Sequence, residues 1–326
     1  MWKKPGLVLA FLALTFVVDR GLSAALGRLV MASNLRVAAL YDGRVDADVV
    51  IVGNSRGVHL ASTEAWSRTF CRSVYNLSLN GLDTATQDVL VRDYLERNRP
   101  PEIAVIEISN VFEHIPMAGE LKPFLGDSPR LDALVSEQQG AIFPWTRISH
   151  LYRFNSEYLL RALLFLFRPS DQDPEPGGAI TPAIIETYLG HHARFAAHAD
   201  NVRILAATLE ALRERGVKPV LVLGPYHPAA FREVDWREEA LASVKALLPR
   251  DVTIVDWSSA LSEDAAFSDP LHMSAQGRED LVATLAASPL ACAASLCPIA
   301  VGSGGAHGPD PRDRVTASAV AKVAPQ

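Results

Sequence analysis

Hydrophobic and polar positions change period several times along the chain. Residues 6–18 form an uncharged run dominated by Leu, Val, Phe and Ala, with Lys3 and Lys4 before it and Asp19 and Arg20 after it. Residues 21–41 then take helical spacing. From residue 48 the pattern shortens to continuous β-branched and aliphatic runs at 48–52, 73–77, 103–108, 219–223 and 252–255. Such runs predict strands buried on both faces, as in a parallel sheet. Helical patterns at 84–97, 199–215, 236–248 and 278–287 lie between and after them. Strands alternating with helices predict an α/β fold, a three-layer α/β/α sandwich with a mainly parallel sheet.

The same pattern divides the chain. Residues 1–25 read as an N-terminal membrane anchor or signal segment, 26–44 as a helical stalk and 45–290 as one α/β domain. Residues 291–326, rich in Ala, Gly, Ser and Pro, read as a disordered tail with no part in the chemistry. Between the third and fourth strands, residues 111–200 break the alternation with Pro, aromatics and short helical pieces, and are expected to form an inserted cap. Within it, residues 158–167 are apolar enough to pack on the domain or to lie at a membrane surface. No internal repeat is visible.

The N-terminal run would rise only about 20 Å as a helix, short of a hydrocarbon core of about 30 Å, so spanning needs snorkelling lysines or local thinning. It is read as an uncleaved anchor; a cleaved signal peptide is the alternative, with small residues at Ser23-Ala24-Ala25. Lys3, Lys4 and the α-amine are nearly balanced by Arg20, Arg28 and Arg36 on the other side. The very short basic tail favours a cytoplasmic N-terminus and an exported domain, periplasmic or extracytoplasmic.

Composition narrows the partners. With 326 residues and 49% of them hydrophobic, the chain can bury a large core. A net charge of -6 supplies no basic field for a phosphate backbone, so nucleic acid is not expected as a partner. Cys71, Cys292 and Cys297 form no CxxC pair, and Cys292 and Cys297 could bridge in an oxidising compartment. His191, His192 and His198 sit on one expected helix without the carboxylate or thiolate partners a metal site needs. No metal and no cofactor are expected.

Candidate chemistry gathers where strands end. The run Val50-Ile51-Val52-Gly53-Asn54-Ser55-Arg56-Gly57 puts Ser55 just past a buried strand, where a nucleophile's hydroxyl is exposed and its own N–H faces a developing oxyanion. Asp269-Pro270-Leu271-His272 follows the last strand, and an Asp three residues before a His can orient the imidazole through Nδ1–H, leaving Nε2 for the serine. His227, after the fourth strand, is expected at the rim of the same site.

Gly53-Asn54-Ser55-Arg56 resembles the Gly-Asp-Ser block that opens SGNH (GDSL-like) hydrolases and acyltransferases, and Asp269-Pro270-Leu271-His272 resembles their closing Asp-x-x-His block. The stretch from Tyr75 to Thr84 is similar to the second block, and Glu107-Ile108-Ser109-Asn110 lies where the third is expected. The resemblance implies a catalytic triad of Ser55, His272 and Asp269, with an oxyanion hole from the Ser55 and Gly81 amides and the Asn110 side chain. Asn54 replaces the family's aspartate, and Ser109-Asn110-Val111 lacks its Gly-x-Asn-Asp form, so Asn80 is an alternative to Asn110. Gly53-Asn54-Ser55-Arg56-Gly57 also satisfies the nucleophile elbow of α/β-hydrolases, but that fold places several strands before the serine. The resemblance to anchored members of the family further implies a serine esterase or O-acyltransferase acting on an acylated polysaccharide or another ester of the cell envelope, tethered to the membrane by its N-terminal segment. The alternative is a non-catalytic binding or assembly protein of an envelope complex, with a partner protein docked on the cap.

Overall fold

Five short strands carry the domain: β1 (Val49–Val52), β2 (Val74–Asn76), β3 (Ile103–Glu107), β4 (Lys218–Leu223) and β5 (Ile254–Asp256). All pair in parallel, in the order β2-β1-β3-β4-β5. The computed structural model describes residues 5–60, 62–113, 115–173, 177–189, 197–231, 235–249, 252 and 254–287. The helices are α1 (Pro5–Ala32), α2 (Arg36–Tyr41), α3 (Ser55–Leu60), α4 (Thr63–Phe70), α5 (Thr84–Arg97), α6 (Pro129–Gln138), α7 (Phe143–Ile148), α8 (Glu157–Leu164), α9 (Pro182–Leu189), α10 (Ala199–Glu214), α11 (Arg237–Leu247) and α12 (Ala275–Ala286).

Each strand alternates between two apolar cores. Val50, Val52, Ala104, Ile106, Leu221 and Leu223 face a core shared with α2, α5, α10 and α11. Val49, Ile51, Ile103, Val105, Val220 and Val222 face one shared with α4 and α12, centred on Trp66, Phe70 and Trp257. The chain is therefore a three-layer α/β/α sandwich, and burial of both sheet faces is why its strands read as unbroken apolar runs. Helix starts are set locally. Asp83 caps α5 by accepting the Thr86 N–H at 2.9 Å, and Ser274 caps α12 through the Gly277 N–H at 3.1 Å.

Two expectations change. The 26–44 segment does not stand off as a stalk: α1 is one unbroken helix to Ala32, and Val30, Leu35, Val37, Leu40 and Tyr41 are buried in the main core. Its apolar positions find partners on α5 and α8, so it packs instead of extending. Among the described residues, much of the insert over 111–200 packs beside the domain and does not cap it. Leu121, Phe124, Leu131, Val135, Phe143, Phe154, Tyr158 and Ala162 merge with the core under α1, α2 and α5, which extends that layer sideways. Residues 177–189 do approach the strand ends: the Ile180 N–H donates to the Phe267 carbonyl at 2.6 Å. His191, His192 and everything from residue 288 on, with Cys292, Cys297 and the expected tail, lie outside the described residues.

By length and composition α1 can cross a membrane. Its first half is exposed, from Leu7 (73%) through Phe11 (66%) to Val18 (45%).

Candidate active site

The sheet order reverses direction between β1 and β3, and in open α/β sheets that switch point opens a crevice at the strands' carboxyl ends. Ser55 sits there as the first residue of α3, directly after the turn that ends β1. Its N–H has no acceptor among the described protein groups. The turn is tight because two positions lack side chains. A Cβ on Gly53 would lie 2.9 Å from the Glu107 Cβ, and one on Gly57 would lie 2.5 Å from the Ser78 Oγ.

The second half of the site is a short hairpin after β5, closed by an antiparallel bridge between Phe267 and Met273 and by the Ser268 N–H on the His272 carbonyl at 2.9 Å. Inside it the Asp269 Oδ1 accepts the N–H groups of Leu271 at 2.8 Å and His272 at 3.0 Å. Its Oδ2 takes the His272 Nδ1–H at 2.8 Å. That bond fixes the tautomer and leaves Nε2 as an acceptor. The Ser55 hydroxyl donates to Nε2 at 2.8 Å. Three residues separated by up to 217 positions thus form one continuous relay. Burial would raise the Asp269 pKa, but the hydrogen bond and charge of His272 and the two backbone N–H groups outweigh it and hold the carboxyl below its ordinary value.

Gly81 adopts a left-handed conformation, φ +69°, which a side chain would strain, and its N–H has no acceptor among the described protein groups. Its loop is set from below: Ser78 abuts Gly57, and the Arg36 Nη1 donates to the Ser78 carbonyl at 2.6 Å. Asn110 is placed differently from the expectation. It is buried at the start of a 3-10 turn after β3, and its amide donates to the Gln87 Oε1 on α5 at 2.9 Å. Its Oδ1 has no partner, and one of its two amide protons has a protein acceptor among the described residues. Asn80 is exposed on the same loop as Gly81. His227 is buried: its Nδ1 accepts the Ala229 N–H at 3.1 Å, its Nε2–H donates to the Asp264 carboxylate at 2.9 Å, and its backbone N–H holds the Pro270 carbonyl at 3.1 Å. It supports the hairpin from the outside and does not line an open rim.

Several residues around the triad carry no signal that the sequence reading used. Arg56 is buried beneath the site. Its guanidinium donates to Glu107 Oε1 (3.3 Å) and to the carbonyls of Leu271 (2.6 Å), Gly224 (2.7 Å) and Pro225 (2.9 Å), and stacks 3.3 Å from the Tyr226 ring centroid. Glu107 is fully buried and also accepts the Ser109 and Gly224 N–H groups at 3.1 and 3.3 Å. The available signal was a carboxylate inside an otherwise apolar strand, which requires a buried cationic partner. Asn54 accepts the Arg56 N–H at 3.0 Å and donates to Glu113 at 3.4 Å. Burial raises the Glu113 pKa, aided by repulsion from Glu107. His59, one turn along α3 from Ser55, bonds the Met273 carbonyl through Nδ1 at 3.0 Å and its ring lies 5.1 Å from that of His272. Burial pushes its imidazole down to about 4, with the nearby His272 adding to the effect against the pull of the Met273 carbonyl.

No protein-family model matches the chain, and no curated protein is similar to it. Among solved structures, the chain is similar to a Bacteroides fragilis protein provisionally described as an acylhydrolase, with 15% identity over 73% of this chain and 83% of that one and a TM-score of 0.34. A likeness of that size carries no functional argument.

Proposed function

We propose that the protein is a serine-dependent acyl-ester hydrolase or O-acyltransferase of the SGNH type, working through an acyl-enzyme on Ser55. The observation that carries this reading is the relay from the Ser55 Oγ to the His272 Nε2 and from the Nδ1–H to Asp269, each step at 2.8 Å. In this mechanism His272 accepts the serine proton as Oγ attacks the ester carbonyl, and returns it to the departing alcohol oxygen. Asp269 stays ionised and steadies the imidazolium. The free N–H groups of Ser55 and Gly81 stabilise the tetrahedral oxyanion, with the uncommitted amide proton of Asn110, or Asn80, as a third donor. Water or a second hydroxyl then attacks the acyl-enzyme as His272 takes its proton, the acyl–Oγ bond breaks, and His272 returns that proton to the Ser55 Oγ.

For the substrate class we take an O-acylated glycan or a related ester of the cell envelope, approached by an exported domain that α1 tethers to the membrane. The family resemblance and the exposed apolar half of α1 support this choice. Purified protein incubated with a fluorophosphonate should be labelled on Ser55, and Ser55→Ala should lose labelling and about a millionfold of its p-nitrophenyl ester turnover. Retention of turnover by Ser55→Ala removes the triad reading; absence of any labelling or turnover in the folded wild-type protein favours the binding-protein alternative.

A further inference from the structure

We propose that α7 is a second membrane-contact element, resting in the lipid headgroup zone through Trp145 and Ile148 and fixing the domain in one orientation on the bilayer. This rests on the anchoring part of the proposed function. The uncharged apolar run of α1 ends at Asp19, and at that level the insert is bound to the helix. The Asp19 carboxylate accepts the Ser149 hydroxyl at 2.5 Å and the N–H groups of His150 at 2.9 Å and Leu151 at 3.2 Å. One residue on, Arg20 donates to the Arg147 carbonyl at 3.4 Å. The C-terminal end of α7 therefore sits where the lipid-facing stretch stops.

The exposed face of α7 suits that position. Trp145 and Ile148 lie three residues apart, hence on one helical face, and are 56% and 66% exposed, while Phe143 and Thr146 are buried on the other. Arg147 is exposed between them. A Trp, an aliphatic residue and cations at one level match the chemistry of the bilayer interface, where an amphipathic ring and a phosphate-pairing cation are both satisfied.

Length supplies the independent argument. Residues 6–18 rise about 20 Å, roughly 10 Å less than a hydrocarbon core. Thinning of the bilayer or sinking of the helix closes the gap, and either one draws whatever is bound at Asp19 into the interface. The exposed Leu160 and Phe167 lie at a different level. They belong to α8 and the turn after it, which tracks the far end of α1: the Asn34 N–H donates to the Phe165 carbonyl at 3.0 Å. Asn34 lies about 20 Å beyond Asp19 along the helix direction.

The test is depth measurement on the full chain, reconstituted in phosphatidylcholine vesicles with a minority of phosphatidylglycerol. In a background with Cys71, Cys292 and Cys297 changed to Ser, a single nitroxide is attached at Leu12→Cys, Trp145→Cys, Ile148→Cys or Leu160→Cys, all at exposed positions. Collision with oxygen and with a water-soluble nickel chelate reports depth. The expected result is a deep label at 12, labels at headgroup depth at 145 and 148, and a water-accessible label at 160. A deep label at 12 with labels at 145 and 148 as water-accessible as that at 160 would overturn the proposal and leave the anchor standing. Equal burial of 160 and 145 would overturn the orientation. A water-accessible label at 12 would remove the anchor itself, and this inference with it.

Discussion

At the scale of single residues, Asp269 and His59 impose opposite demands on the same hairpin. Asp269 is held ionised and fixes the His272 tautomer by accepting its Nδ1–H. Asp269→Asn would present an amide there, favour the wrong tautomer and lower turnover by about ten thousandfold with the fold retained, a loss readable from kcat at constant labelling of Ser55. His59 must stay neutral. Its folded pKa of about 4 lies below the ordinary histidine value of 6.5, so between those pH values the unfolded chain binds more protons and stability falls as pH falls. Above 6.5 this contribution is complete. Urea midpoints measured from pH 7.5 down to 4.5 should therefore decline, and His59→Gln should flatten the decline within that window.

Elements meet at the site through Arg56. One guanidinium links the start of α3, the end of β3, the loop after β4 and the hairpin bearing His272. Arg56→Met leaves the Glu107 charge buried without its partner and should cost about 3–5 kcal/mol in urea unfolding. Arg56→Lys keeps the charge but cannot reach Glu107 and three carbonyls with one ammonium. It should retain more stability than Arg56→Met yet lose about a hundredfold in turnover, because an error of about 1 Å in the hairpin misplaces His272 against Ser55. Comparing the two variants by denaturation and by kinetics separates the structural part of Arg56 from its positioning part.

For the whole molecule, α1 belongs to two environments. Its first half touches little of the protein, whereas Val30 is buried, Leu26 and Leu29 pack against the main core, and Asp19 binds the insert. A chain starting at Asp19 should match the full chain in urea stability to within about 0.5 kcal/mol when both are compared in detergent. Removing the helix through Ala32 should cost at least about 3 kcal/mol, since it uncovers an apolar core that α2, α5 and α8 share. The lateral packing of the insert also bears on water or hydroxyl as the acyl acceptor. Among the described residues, much of it packs on a helical layer while residues 177–189 border the hairpin, where they would shield an acyl-enzyme on Ser55.

What the sequence determined by itself is what is encoded over a few neighbouring positions. Continuous apolar runs, two of them closed by Gly53 and Gly224, specified the five strands, Asp83 and Ser274 cap the helices that follow them in sequence, and the i,i+3 spacing of Asp269 and His272 specified their hydrogen bond. The meeting of Ser55 with His272 was inferable because strand ends in a parallel sheet share one edge. Only the tertiary structure decided what long-range packing controls. Arg56 reaches the Leu271 carbonyl across 215 positions, Asn110 turns to Gln87, and the 26–44 segment enters the core. The physical reason is that a buried polar group takes whichever partner packing brings within hydrogen-bond reach, and an apolar helix face takes whichever surface is left uncovered. Neither choice is written in the period of the residues that make it.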